Sequence, residues 1–210
     1  MLHHFVFRNR WIISGCCYKI IVEMNDNKPE ILLHICCGPD STAVYEQLNP
    51  RYDVIGYFHN PNIYPEKEYH KRAENALKAG RTLGFKVIVP AEYHPEEWLK
   101  AVRGLEKEPE GGKRCEKCFR HNLEAAAKKA LEMGISVFTT TLTISPHKSS
   151  DVVFKIGRGL AEEYGVMFLD DDFKKKDGFK RSVELSKEMG LYRQKYCGCA
   201  YSMIQKDRIR

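Results

Sequence analysis

The chain lacks a hydrophobic run of membrane-spanning length. Its nearest approach, from Trp11 to Val22, is too short and is broken by Lys19. No small-residue cleavage site follows that run, which argues against a secretory signal. No internal repeat or low-complexity tract is visible, so solenoid and disordered-array architectures are set aside. No nicotinamide or flavin fingerprint is present either, so electrons for any redox step would come from an external donor. Charge of one sign is not in excess: 34 Lys and Arg face 28 Asp and Glu, a net charge of +6 that suits a polyanionic partner without requiring one.

Cysteine, in contrast, is plentiful. The eight fall in adjacent or near-adjacent pairs, Cys16–Cys17, Cys36–Cys37, Cys115–Cys118 and Cys197–Cys199. Disulfides of secreted chains join distant thiols, whereas clustering favours metal or redox chemistry in a reducing compartment, and a cytoplasmic location is expected. Residues 1–24 are read as an N-terminal extension, with Met24 a plausible start, and Cys16 and Cys17 are left out of the site. Residues 25–210 are read as a single α/β catalytic domain ending in the Cys-x-Cys segment.

The apolar run Leu32-Leu33-His34-Ile35 predicts a buried strand. It ends in Cys36-Cys37-Gly38-Pro39-Asp40-Ser41, where Ser41 has the character of a helix N-cap. Further strands are expected at 53–58, 85–89, 137–140 and 166–169. Helices are expected at 42–48, from Pro65 to about Leu83, from Pro95 to about Val102, around 123–131, from about Ser150 to Tyr164, and near 181–189. Residues 106–114 are charged and Gly-rich, a loop with no core of its own. This alternation implies a three-layer α/β fold, a parallel sheet with helices on both faces, Rossmann-like. In such a sheet the loops after the strands open at one edge, placing Cys36, Cys37, Asp40, residues 60–64, His94, Trp98 and residues 140–148 together.

Cys115-x-x-Cys118 lets two sulfurs face one metal atom or cluster, and Cys197-Gly-Cys199 places two on one side of an extended segment. A single Cys-x-x-Cys is equally a zinc knuckle. Six thiols plus Asp40 exceed what one closed zinc site needs, and iron–sulfur clusters are held mostly by thiolates. The Gly38-Pro39-Asp40-Ser41 turn also resembles the pyrophosphate loop of ATP-consuming tRNA-modifying enzymes. Cys36 and Cys37 stand where those loops carry glycines that let phosphate approach bare backbone.

Five segments in order resemble the cobalamin-independent epoxyqueuosine reductases. They are His34-Ile-Cys-Cys-Gly-Pro-Asp-Ser41, Tyr57-Phe-His-Asn-Pro-Asn-Ile63, Cys115-x-x-Cys118, Thr139-Thr-Thr-Leu142-x-x-Ser145-Pro146-x-Lys148 and Tyr192-Arg-Gln-x-Tyr196-Cys-Gly-Cys199. The resemblance runs from about Ile31 to Tyr201. Asp40 stands where many members carry cysteine, and a carboxylate is a competent iron ligand. The resemblance implies a fold like the adenine nucleotide alpha hydrolases of PP-loop type. It implies reduction of the epoxide of epoxyqueuosine, in a tRNA anticodon wobble nucleoside, to the alkene of queuosine. It further implies a 4Fe-4S cluster with an additional iron nearby and an external electron donor, a protein or small reductant. Cys36, Cys37, Asp40, Cys115, Cys118, Cys197 and Cys199 would divide between the two centres, in a division the sequence leaves open. The alternatives are an ATP-dependent PP-loop-type enzyme and a zinc-stabilised RNA-binding module.

Beyond the ligands, Asn60, Asn62 and Tyr64 are candidates to bind base or ribose, with Asx-turn loop stabilisation the equal alternative. His94 is a candidate proton donor, or simply a loop residue before Pro95. Trp98 suits base stacking or core packing, and Thr139 to Thr143 suit hydroxyl donation or a strand end. Lys148, Arg193 and Lys195 are candidates to meet phosphates, against ordinary solvated charge, with Arg193 counted among the catalytic candidates. Lys174 to Lys176 and Lys206, Arg208 and Arg210 read as solvated.

Overall fold

A computed structural model describes residues 28–207. The readings made of residues 1–24, of Cys16 and Cys17, and of Arg208 and Arg210 lie outside the described residues. Five strands form one parallel sheet in the order β3-β2-β1-β4-β5: β1 (Glu30–His34), β2 (Asp53–Tyr57), β3 (Lys86–Ile88), β4 (Val137–Thr140) and β5 (Met167–Phe168). The helices are α1 (Gly38–Leu48), α2 (Glu66–Leu83), α3 (Glu96–Ala101), α4 (Lys113–Glu132), α5 (Ser150–Tyr164), α6 (Gly178–Glu188) and α7 (Ala200–Asp207).

Strand β1 is central, and its alternate residues serve opposite cores. Ile31, Leu33 and Ile35 pack with α1, α2 and α6 side chains such as Val44, Ala76 and Leu185. Leu32, facing the other way, packs with Leu123, Ala126 and Leu160 of α4 and α5. A strand covered on both faces is nearly all apolar, as 31–35 is apart from His34, which is buried with its Nδ1 hydrogen-bonded to Thr140 Oγ1 at 2.9 Å. Each fully buried Leu or Ile there contributes about 1.5–3 kcal/mol. The expected three-layer α/β arrangement is therefore the observed one.

Local differences have local causes. Helix α1 begins at Gly38 rather than at Thr42, with Cys37 instead of Ser41 in the N-cap position. Ser41 is inside the helix and its hydroxyl donates back to the Gly38 carbonyl at 2.7 Å. Gly38 is needed there, because a Cβ would stand 2.5 Å from the Asn75 carbonyl oxygen of α2. Helix α4 starts ten residues earlier than its Ala-rich segment suggested, at Lys113, so Cys115 and Cys118 lie in its first two turns. The preceding charged loop is wrapped around the fully buried Arg114, whose Nη1 donates to the carbonyls of Leu105, Glu106 and Glu108. The chain after Cys199 is helical, which its short polar sequence did not signal.

Candidate functional site

After β3 the chain returns to pair β4 beside β1, so the connections from β1 and from β4 diverge. Such a switch point leaves a crevice at the C-terminal ends of the two strands. The segments that follow β1 and β4 supply Cys36, Asp40, Leu142, Ser145 and Lys148 to a cavity of about 230 Å³ at this place. Asn60 and Asn62 come from the loop after β2, Cys118 and Asn122 from α4, and residues 193–197 from the chain before α7.

The thiols fall into two groups. Cys36, Cys37 and Asp40 present two sulfurs and a carboxylate oxygen within 4.8 Å of one another. The Cys36 sulfur accepts from the Thr141 hydroxyl at 3.1 Å, while the Cys36 N–H donates to that same hydroxyl oxygen at 2.9 Å. A hydrogen bond from Cys37 holds the Cys36 thiol below its ordinary range, whereas burial pushes Cys37 well above it. Asp40 lies 3.4 Å from Nη2 of Arg193. Burial works against the ammonium of Lys148, yet the Coulombic pull of the Cys36, Cys197, Asp40 and Cys37 side chains in their ionised forms outweighs it and raises its pKa.

Cys115, Cys118, Cys197 and Cys199 make the second group. Cys118 and Cys199 pack together with Trp98 and Val102. Burial raises Cys118 well above the ordinary thiol range, and the nearness of Cys197, Cys199 and Cys115 raises it further. Burial likewise raises Cys115, and takes Cys197 up to about 11. The Gly111 N–H donates to the Cys115 sulfur at 3.2 Å and the Ser202 N–H to that of Cys199 at 3.4 Å, the kind of contact that supports a thiolate. All six thiols of the described residues are free. Soft sulfur donors in this number suit zinc, or iron in clusters.

The C-terminal pair is positioned by a strap, residues 190–199, laid along α2. Arg72 of α2 is buried, pairs with Glu68 at 2.7 Å, and donates to the carbonyls of Cys197 at 3.0 Å and Tyr196 at 3.3 Å. The Tyr64 N–H donates to the Gly198 carbonyl at 2.8 Å, and the Tyr196 hydroxyl to the Tyr64 carbonyl at 2.7 Å. Tyr192 donates to the Glu68 carboxylate at 3.1 Å. Gly198 has φ of +124° and rests against Arg72 and Ile63, so only glycine suits the turn between the two cysteines.

Of the residues singled out in the sequence, Asn60 is buried in the cavity wall with its amide donating to the Ile35 carbonyl at 2.8 Å. Arg193 also lines the cavity, over the Phe179 ring at 5.0 Å. The Tyr64 side chain is exposed and outside the cavity lining, and its backbone fastens the strap instead. His94 is on the surface, between Glu92 at 2.9 Å and Glu96 at 4.0 Å, away from the cavity. Trp98 is buried against the cysteines. Sequence reasoning did not single out Arg72, Glu110 or Asn122. Arg72 and Glu68 look like an ordinary exposed i,i+4 pair, and nothing in the sequence signals that the strap covers them.

The family model of epoxyqueuosine reductase QueH matches residues 31–205. An epoxyqueuosine reductase QueH of Streptococcus pyogenes is 44% identical over 188 residues, covering 86% of this chain and 72% of that one. That of Thermotoga maritima is 38% identical over 179 residues, covering 84% and 91%. Among solved structures, the U34-tRNA thiolase NcsA of Methanococcus maripaludis with its [4Fe-4S] cluster shares the fold with a TM-score of 0.53 at 15% identity, over 84% of this chain and 62% of that one. No described helix is long and apolar enough to cross a membrane. With the match spanning most of the chain and the relatives this similar, the chain belongs to the epoxyqueuosine reductase QueH family, oxidoreductases of queuosine biosynthesis.

Proposed function

We propose that this chain, with residues 25–210 acting as one catalytic domain, reduces the epoxide of epoxyqueuosine in the wobble nucleoside of a tRNA anticodon loop to the alkene of queuosine, without cobalamin. The observation that supports the reading is a cavity at the sheet's switch point whose lining includes Cys36 and Asp40, which group closely with Cys37, together with Cys118 and Cys197. Four buried or half-buried thiols, Cys115, Cys118, Cys197 and Cys199, suit a 4Fe-4S cluster. Two nitrogens of the buried Arg114, next to Cys115, have no hydrogen-bond partner among the described residues, which fits a centre of negative charge beside it. Cys36, Cys37 and Asp40 make a mixed sulfur and oxygen set suited to an additional iron.

Both C–O bonds to the epoxide oxygen break, a C=C bond forms, and the oxygen leaves as water with two protons and two electrons. Bound iron would supply one-electron transfer and Lewis acidity, with the electrons drawn from an external low-potential donor. The chain's own side chains do the rest. Arg193 holds Asp40 in place from the cavity wall. Lys148 keeps a proton at Nζ among the thiols and Asp40, and so offers positive charge to an oxygen that becomes basic. Asn60, anchored on Ile35, fixes the wall where the nucleoside enters.

The test is anaerobic turnover of epoxyqueuosine-containing tRNA with a chemical reductant, followed by nucleoside analysis and an iron count. Queuosine formation with about five iron atoms per chain is the expected result. Iron near zero, or turnover only with ATP, would sink the reading.

A further inference from the structure

Two carboxamides in the cavity wall are alike in one unusual respect. Asn122, buried on α4, directs its Nδ2 to Asn62 Oδ1 at 2.9 Å and towards the Cys118 sulfur at 3.8 Å. Its Oδ1 has no hydrogen-bond partner among the described residues. Gln194, on the strap, likewise has a buried Oε1 without a partner among the described residues, and where burial raises the pKa of the Cys37 thiol, the nearby Gln194 side chain opposes the rise. Each amide therefore has an unsatisfied oxygen and a cysteine beside it, Cys118 for Asn122 and Cys37 for Gln194. Both residues line the cavity.

Buried acceptors without donors are uncommon, and each carries a desolvation cost until a donor arrives. Several nearby donors are committed elsewhere: the Asn60 amide to Ile35, Arg72 to Glu68 and the strap, and Asn122 Nδ2 to Asn62, while Nη1 of the cavity-lining Arg193 is itself a buried donor without a partner among the described residues. A ligand bearing O–H or N–H groups would satisfy both amide oxygens, and one bearing an acceptor as well would satisfy Arg193 Nη1.

We propose that Asn122 and Gln194 are specificity residues whose side-chain oxygens accept hydrogen bonds from donors of the bound wobble nucleoside, while Asn122 Nδ2 stays on Asn62 and Cys118. This rests on the proposed reading of the substrate. The donors have two sources with one chemistry, the hydroxyls on the epoxide-bearing ring or the N–H edge of the guanine-like base. Because each amide lies beside a thiol on one side and meets the nucleoside on the other, the pair sets the substrate's register against both thiol groups.

The experiment measures binding without turnover, anaerobically and with no reductant. One tRNA carries epoxyqueuosine, and the other is the same tRNA with guanine at the wobble position. The proteins are the iron-loaded wild-type chain, Asn122→Leu and Gln194→Leu. Each variant is expected to bind epoxyqueuosine tRNA about tenfold more weakly, the size of one neutral hydrogen bond. Loss confined to the epoxyqueuosine tRNA assigns the donors to the ring hydroxyls, and equal loss on both tRNAs assigns them to the base edge. Unchanged affinity for both would overturn the proposal. If wild type makes queuosine while the variants bind as wild type does, this inference alone fails. If wild type binds neither tRNA, the substrate reading falls with it. Iron content and melting of each variant separate lost recognition from lost structure. Gln194→Leu, on a different element, carries the test should Asn122→Leu not fold.

Discussion

Replacing Arg72 with methionine tests how the C-terminal cysteines are held. The side chain is 2% exposed and its partner Glu68 is 12% exposed, so the pair is screened little by water. Removing one member of such a pair costs about 3–5 kcal/mol, because the other charge stays buried. Glu68 keeps a donor in the Tyr192 hydroxyl, which places the expected cost near the lower end, about 3 kcal/mol. The carbonyls of Cys197 and Tyr196 lose their donors as well. A domain is typically stable by about 5–15 kcal/mol, so the sheet survives and the damage concentrates in the strap. Denaturant unfolding of the metal-free chain should show the loss in stability, and the iron-to-protein ratio after anaerobic loading should fall. Glu68→Gln keeps an acceptor for Arg72 and should cost less. A loss below about 1 kcal/mol with full iron content would refute the claim that Arg72 positions Cys197 and Cys199.

Gly198→Ala should reproduce the same defect from the other side. The new Cβ would lie 2.9 Å from Arg72 Nη1 at a φ of +124°, so iron loading should drop and a strain cost of about 1–3 kcal/mol should appear in unfolding. Burial raises the Cys115 and Cys118 thiols and takes Cys197 up to about 11, so at neutral pH the metal-free chain holds these protons. Metal binding must expel them, and apparent metal affinity should rise as pH rises towards 11. Zinc titration in weakly buffered solution should release at least two protons per metal, and a pH-independent affinity between 6 and 8 would contradict the burial described.

Periodicity and punctuation made much of the scaffold legible. The expected β4 coincides with the observed strand, and α5 runs from Ser150 to Tyr164 as its N-cap serine and the left-handed Gly165 indicate. Gly84, also left-handed, stops α2 where the sequence places its end. These signals are local, and local chemistry enforces them. The start of α4 escaped because its first turn is fixed by Arg114 reaching carbonyls that lie six to nine residues back.

For the candidate site, the sequence by itself determined the chemistry on offer: six thiols and an aspartate, in segments whose order and spacing identify the family. Only the tertiary structure decided how those donors group, since Cys36, Cys37 and Asp40 meet through one helix start while the other four thiols come from two segments, 115–118 and 197–199, far apart in the chain. It also decided that Arg72 and Asn122, polar residues with nothing in the sequence to tell them from surface positions, are buried. Burial of a polar side chain depends on what packs over it, and here the covering strap and loop come from distant parts of the chain.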